Sequence, residues 1–156
     1  MPIFNPEKAL RDLPKTPVLL RVVLQGVDQR RATEATDGAD GWSVLEIICH
    51  LNDYEEFFFT RAQQIVETDQ PYFPPVDHEA LVVENEYARQ NFATVLAVYL
   101  DRRAAFVNYL RGLSPQQWQR KGFHPSWGEV TLVEHVTNTT LHDVNHIEQI
   151  VKALNI

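Results

Sequence analysis

The sequence predicts an all-α protein, a four-helix bundle with long connections after its second and third helices. Three observations carry this prediction. Four long stretches repeat apolar residues at three- and four-residue spacing, the period of a helix with one buried face. Prolines cluster at the borders of those stretches: Pro14 and Pro17, then Pro71, Pro74 and Pro75, then Pro115 and Pro125. Proline breaks a helix interior, so these clusters punctuate helices. No segment alternates apolar and polar residues convincingly enough to be a strand. Helices that are apolar on one side only bury those sides against one another.

The first helix is predicted from about Pro17 to Arg30. Thr16 can cap it, and Pro17 suits the first helical position, where no N–H is needed. Leu20, Val23, Leu24 and Val27 make its apolar face. Arg31 to Gly41 is polar, contains two glycines and reads as a loop. The second helix starts at Ser43, which forms a capping box with Glu46. Its stripe is Val44, Ile47, Ile48, Leu51, Tyr54, Phe58 and Ile65, and it runs to about Glu67. Thr68 to His78 holds three prolines. That connection exceeds the roughly two to eight residues usual between bundle helices, so it can cross the bundle rather than turn back.

The third helix is predicted from about Glu79 to Arg111, with a stripe through Ala88, Phe92, Val95, Leu96, Tyr99, Phe106, Val107 and Leu110. Ser114-Pro115 opens a short helical turn ending at Trp118. Gln119 to Val130 reads as irregular, with Gly122, Pro125 and Gly128. The last helix starts at Thr131, capped with Glu134, and its stripe is Leu132, Val136, Ile147, Ile150 and Leu154.

Composition bounds the function. A chain of 156 residues with 44% hydrophobic content suits one domain, residues 1–156, with a real core. Lys and Arg number 14 against 21 Asp and Glu, a net charge of −7. That balance argues against nucleic acid and against anionic lipid as partners. The lone Cys49 cannot form an intrachain disulfide and fits a reducing cytoplasm. Met1 to Leu13 carries Glu7 and Asp12 and has no apolar core of a signal peptide. The apolar runs fall short of the ~20 residues of a membrane span. A soluble cytoplasmic protein is expected.

Three of the six histidines stand out. His142 and His146 are four apart, so on a helix their Cβ atoms lie roughly 5–6 Å apart on one face. Two imidazoles so placed can share a divalent ion at roughly 2.0–2.1 Å. His50 sits at the edge of the second helix's stripe. If the second and last helices are neighbours, all three rings converge where core meets solvent, the usual construction of a metal site in a bundle. The plainer reading, a hydrogen-bonded side chain at the core rim, stays open for each. His142-Asp143-Val144-Asn145-His146 has the spacing of the zinc-protease pattern H-E-x-x-H. Asp143 is one methylene shorter than the glutamate, and the ten residues that follow hold no third ligand, which argues against a peptidase.

These residues carry a family resemblance. Gly41-Trp42-Ser43-Val44-Leu45-Glu46-Ile47-Ile48-Cys49-His50-Leu51 resembles the W-S-x-x-E-x-x-x-H-L segment of the DinB-like superfamily. His124-Pro125 with Gly128, then Thr131-Leu132, then His142-Asp143-x-x-His146-x-x-Gln149-Ile150 resembles its C-terminal half. The likeness covers about residues 15–154. It implies a bundle of up-down-down-up connectivity. It implies a divalent metal, nickel or zinc foremost with iron or manganese as alternatives, held by His50, His142 and His146. It also implies a homodimer, and a small-molecule substrate with a low-molecular-weight thiol such as bacillithiol or mycothiol in S-transfer. The sequence leaves a hydrolase, a non-catalytic metal or stress protein, and a metal-free interaction bundle as other readings.

Three imidazoles leave at least one coordination position open. Neighbouring side chains should hold the outer ring nitrogens. Glu46, Asn138 and Gln149 are placed for this, though each reads first as a cap or surface residue. His135 reads as packing, His124 as able to fold over the site, and His78 as solvated. Cys49 points away from His50 and should pack. Tyr54 and Trp127 are aromatic candidates for a cavity wall.

Overall fold

A computed structural model describes residues 5–156; the first four residues of the N-terminal reading and of the 1–156 domain lie outside the described residues. Eight helices occur among them: α1 (Pro6–Asp12), α2 (Lys15–Val23), α3 (Gln29–Glu34), α4 (Val44–Glu67), α5 (His78–Glu84), α6 (Phe92–Arg111), α7 (Pro115–Trp118) and α8 (Leu132–Leu154). Strands β1 (Lys121–His124) and β2 (Gly128–Thr131) form an antiparallel hairpin.

The bundle consists of α2, α4, α6 and α8, and its connectivity is up-down-down-up. Cross-helix partners reveal the directions. Arg102 reaches Asn52, Arg103 reaches Glu55, and Phe106 stacks on Phe59, so α4 and α6 run parallel. His50 faces His146 while Phe58 faces His135, so α8 runs opposite to α4. Between the parallel pair the chain must return along the bundle. It does so through residues 68–91, which include α5 and a 3-10 turn at Tyr87–Arg89.

Several boundaries differ from the sequence expectation. The first helix begins two residues earlier, at Lys15, and stops at Val23, because Gly26 takes a left-handed φ of +74°. Thr16 does not cap it; its hydroxyl is buried and bonds Asp143. Asp28 instead caps a separate helix, α3, which takes up the end of that predicted helix and the start of the Arg31–Gly41 segment read as a loop. The predicted third helix is broken, since Glu86 is left-handed and Asn91 caps a fresh start at Phe92. The segment read as irregular is the hairpin, whose alternation is only four residues per strand and too short to recognise.

The hairpin pins the proline-rich crossing. Phe73 N–H donates to the Phe123 carbonyl at 3.0 Å, and Phe123 N–H donates to the Pro71 carbonyl at 2.8 Å. Gly122 permits this approach, because a Cβ there would lie 2.5 Å from the Phe73 ring. Arg120 donates to the Ile65 and Thr68 carbonyls at 2.8 and 2.7 Å, satisfying the C-terminal end of α4.

The core has two apolar halves. One gathers Leu20, Leu45, Ile48, Tyr99 and Ile150; the other gathers Leu13, Phe58, Ile65, Phe106 and Val136. Between them lies a charged layer. Arg103 donates to both Glu55 oxygens at 2.7 and 2.6 Å, to Asp143 Oδ2 at 2.7 Å and to the Leu13 carbonyl at 3.0 Å. Thr16 Oγ1 donates to the same Asp143 oxygen at 2.7 Å. Each of the three charged residues is only 1% exposed. Paired and hydrogen-bonded charges are the only kind tolerated at such depth.

Candidate metal centre

α4 and α8 both start with capping boxes, Ser43–Glu46 and Thr131–Glu134, which fix their registers. On α4 the register puts His50 at the core edge. On α8 it stacks His142 and His146 one turn apart, with ring centroids 4.5 Å from each other. His50 meets His142 at 5.2 Å and His146 at 4.5 Å between centroids. His50 Nε2 and His142 Nε2 are 3.1 Å apart. One ring nitrogen from each of the three lies within 4.8 Å of the others.

This set fits a divalent ion. Two nitrogens 3.1 Å apart, each roughly 2.0–2.1 Å from one ion, subtend about 100° there, within the range of tetrahedral and octahedral sites. Imidazole suits zinc, nickel, iron and copper alike. Burial, reinforced by the neighbouring histidines, pushes His50 down to about 2. Burial followed by His142 pushes His146 down to about 4. Both rings are therefore neutral near pH 7, with lone pairs free for a cation. His146 Nδ1–H donates to Gln149 Oε1 at 2.9 Å, which leaves Nε2 as its ligand atom. Nδ1 of His50 and of His142 are buried and unpartnered among the described residues. Asp143 Oδ1 lies 3.9 Å from His142 Nδ1, near enough for attraction but too far for a hydrogen bond.

The histidines open into a cleft of 510 Å³. Tyr54 and Trp42 pack on His50 at 4.2 and 5.0 Å between centroids, and Tyr54 stacks on His142 at 4.9 Å. Burial pushes the Tyr54 hydroxyl above its ordinary value. His78, expected to be solvated, is exposed but borders the same cleft, 6.4 Å from His50. Trp42 was not singled out for this role by the sequence. Its signal is its place immediately before the Ser43 cap, where a side chain folds back on the first turns of the helix.

The other candidates lie elsewhere. Glu46 serves the cap of α4. Cys49 is buried against the Tyr87 carbonyl, and burial pushes its thiol up to about 12. His124 stacks on Trp127 at 4.0 Å on the hairpin, and neither lines the cleft. Asn138 is not among the cleft's lining residues either.

His135 is a core residue, whose Nε2–H donates to the Phe58 carbonyl at 2.8 Å. Burial pushes it down to about 4. A histidine protonated near 6.5 when unfolded and only below about 4 when folded costs stability as the pH falls between those values. The loss for His135 alone is about 3 kcal/mol at roughly 1.4 kcal/mol per pH unit. His50 and His146 act in the same sense. Glu55, which burial pushes up, acts in the opposite sense. Urea melts of metal-free protein at pH 7 and pH 4.5 should differ by that order, with His135→Phe reducing the difference; equal stability at the two pH values refutes it.

Known proteins share this arrangement of helices. The candidate metal-dependent hydrolase YfiT of Bacillus subtilis (strain 168) is 24% identical over 146 residues, covering 92% of this chain and 81% of its own. OB0782 of Oceanobacillus iheyensis, named in the same terms, is 24% identical over 142 residues, covering 90% and 79%. The solved structure of Bacillus subtilis YfiT, described as having an unusual four-helix bundle topology, superposes with a TM-score of 0.86 at 20% identity, over 96% of this chain and 86% of that one. A mycothiol-dependent maleylpyruvate isomerase superposes with a TM-score of 0.76 at 13% identity, over 94% of this chain but only 60% of the isomerase. Among the described residues, no helix is long and apolar enough to cross a membrane. The profile of the DinB superfamily matches residues 13–150, from the end of α1 to the last turns of α8, and the chain belongs to that superfamily.

Proposed function

We propose that residues 1–156 form one domain that is a divalent-metal-dependent enzyme acting on a small molecule, with His50, His142 and His146 as the protein ligands. The observation that carries this is the convergence of three imidazoles at the floor of an open cleft. A bound divalent ion supplies Lewis acidity, lowering the pKa of a thiol or water that reaches its open position. The reaction we favour is S-transfer from a low-molecular-weight thiol.

The placement of the carboxylates favours thiol transfer over hydrolysis. A water-activating site of the H-E-x-x-H type uses a carboxylate beside the first histidine as general base. Here that carboxylate is Asp143, which is buried and engaged by Arg103 and Thr16. Asp40 is the one carboxylate among the cleft's lining residues, and it is exposed. A thiol of low pKa needs no such base. Trp42 and Tyr54 provide aromatic surface for an apolar electrophile, and Gln149 holds His146 by its outer nitrogen.

The assay is a panel of small thiols, bacillithiol and mycothiol included, with a chlorinated aromatic electrophile, run with zinc, nickel, iron and manganese in turn. A thiol- and metal-dependent rate that His142→Ala abolishes is expected. No rate above background in any combination removes the transferase reading. The naming of both sequence relatives as candidate metal-dependent hydrolases favours hydrolysis as the second reading, and activated esters test it on the same samples. We read the acting unit as a cytoplasmic homodimer without nucleic-acid partners. The net charge of −7 supports the last point, and the exposed Val18, Val22, Leu141 and Val144 on α2 and α8 support association.

A further inference from the structure

A second cleft, of 650 Å³, lies along the outer side of α4. It shares a wall with the first: His78 faces the histidine cleft, whereas Val76 and Leu81 face this one. Its size falls within the roughly 300–1,000 Å³ of small-molecule sites. Phe57, Pro74, Val76 and Leu81 give it apolar walls, and Thr60 stands at its edge.

Its distinguishing group is Arg61. The guanidinium is half-buried, donates through Nη2 to the Pro74 carbonyl at 2.8 Å, and sits over the Phe73 ring at 5.5 Å. Among the described residues no carboxylate is paired with it. The two acids that border the cleft are engaged elsewhere. Asp53 Oδ2 accepts from Asn85 Nδ2 at 2.7 Å and from the Tyr87 hydroxyl at 2.6 Å. Glu56 pairs with Arg102 at 2.8 Å. Unlike Arg120, whose Nε and Nη2 are both taken by backbone carbonyls, Arg61 keeps Nε and Nη1 without a hydrogen-bond partner among the described residues, donors that an anion in the cleft can use. Burial works against its charge, which a bound anion would relieve.

We propose that this cleft binds a small amphiphilic monocarboxylate, its head held by Arg61 and its apolar body lying against Phe57, Val76 and Leu81. The planar fork of arginine matches a carboxylate with two parallel hydrogen bonds. Asp53, whose partners Asn85 and Tyr87 are neutral, stands at the rim and disfavours a doubly charged phosphate more than a singly charged head, and the walls of Phe57, Val76 and Leu81 call for an apolar body. The segment around Pro74 and Pro75 prebuilds one wall, which lowers the ordering cost of binding.

The test uses the full chain and two probes of equal shape, phenylacetate and neutral phenylacetamide, titrated by amide chemical-shift mapping. Phenylacetate is expected to bind at least tenfold more tightly, with shifts centred on Arg61 and Leu81. Arg61→Gln should abolish the difference, and His142→Ala should leave it intact. Should Arg61→Gln unfold the chain by circular dichroism, Thr60→Trp, at an exposed lining position, blocks the cleft instead and should abolish binding. Equal affinity for acid and amide overturns the proposal. So does binding unchanged by either cleft variant, or binding lost with His142→Ala, which would assign the carboxylate to the metal centre. The proposal does not depend on the metal-enzyme reading, and either can fail alone.

Discussion

Replacing Arg103 with methionine is expected to lower the free energy of unfolding by about 3–5 kcal/mol, the cost of leaving a buried charge without its partner. Arg103 is the only cation in the charged layer, and its loss strands two carboxylates, Glu55 and Asp143, between the apolar halves of the core. Its guanidinium also faces the Tyr99 ring at 5.3 Å, a contact that methionine keeps only in part. The measurement is urea denaturation of metal-free protein followed by circular dichroism. Converting Glu55 and Asp143 to leucine alongside Arg103→Met should recover most of the loss, because apolar replacements of a buried ion cluster cost far less than breaking it. A change below about 1 kcal/mol in the single variant would show that the cluster is not dry or not paired in solution.

Replacing His142 with alanine should weaken divalent-metal binding by more than about 100-fold, since losing even an outer partner of a ligand costs roughly 10–100-fold. The fold should survive. His142 is partly exposed, and alanine is the best helix former within α8. Calorimetric titration with zinc and with nickel measures the affinity, and a thermal melt measures the fold. His135→Ala is the control: it removes a core histidine turned toward the Phe58 carbonyl, so it should cost stability and leave affinity unchanged. Unaltered affinity in His142→Ala would reduce the three histidines to core-rim residues. Equal loss in both variants would attribute the effect to the fold and not to a ligand.

The long helices were legible in the sequence because amphipathic periodicity and two capping boxes mark them locally. Ser43–Glu46 and Thr131–Glu134 start α4 and α8 where expected. The same registers bring His50, His142 and His146 together, and the spacing of His142 and His146 already placed them on one face. The charged layer was not legible. Glu55, Arg103 and Asp143 are indistinguishable in sequence from solvated charges on helix surfaces, and only the packing of three distant helices identifies them as interior. Thr16 misled for the same reason: a threonine just before a proline looks like a cap, while its true partner lies far along the chain at Asp143. Short elements failed on length. A four-residue strand carries too little alternation to stand out, and α1 is a seven-residue helix, too short for its periodicity to show.

The backbone bonds joining Pro71, Phe73 and Phe123 make the crossing after α4 behave as a third strand, in spite of its prolines. For protein engineering this reverses the obvious choice of where to cut. A stretch that looks like a disposable linker would, if opened as new termini or split by a reporter, tear Phe73 from the core and take the hairpin and the end of α4 with it.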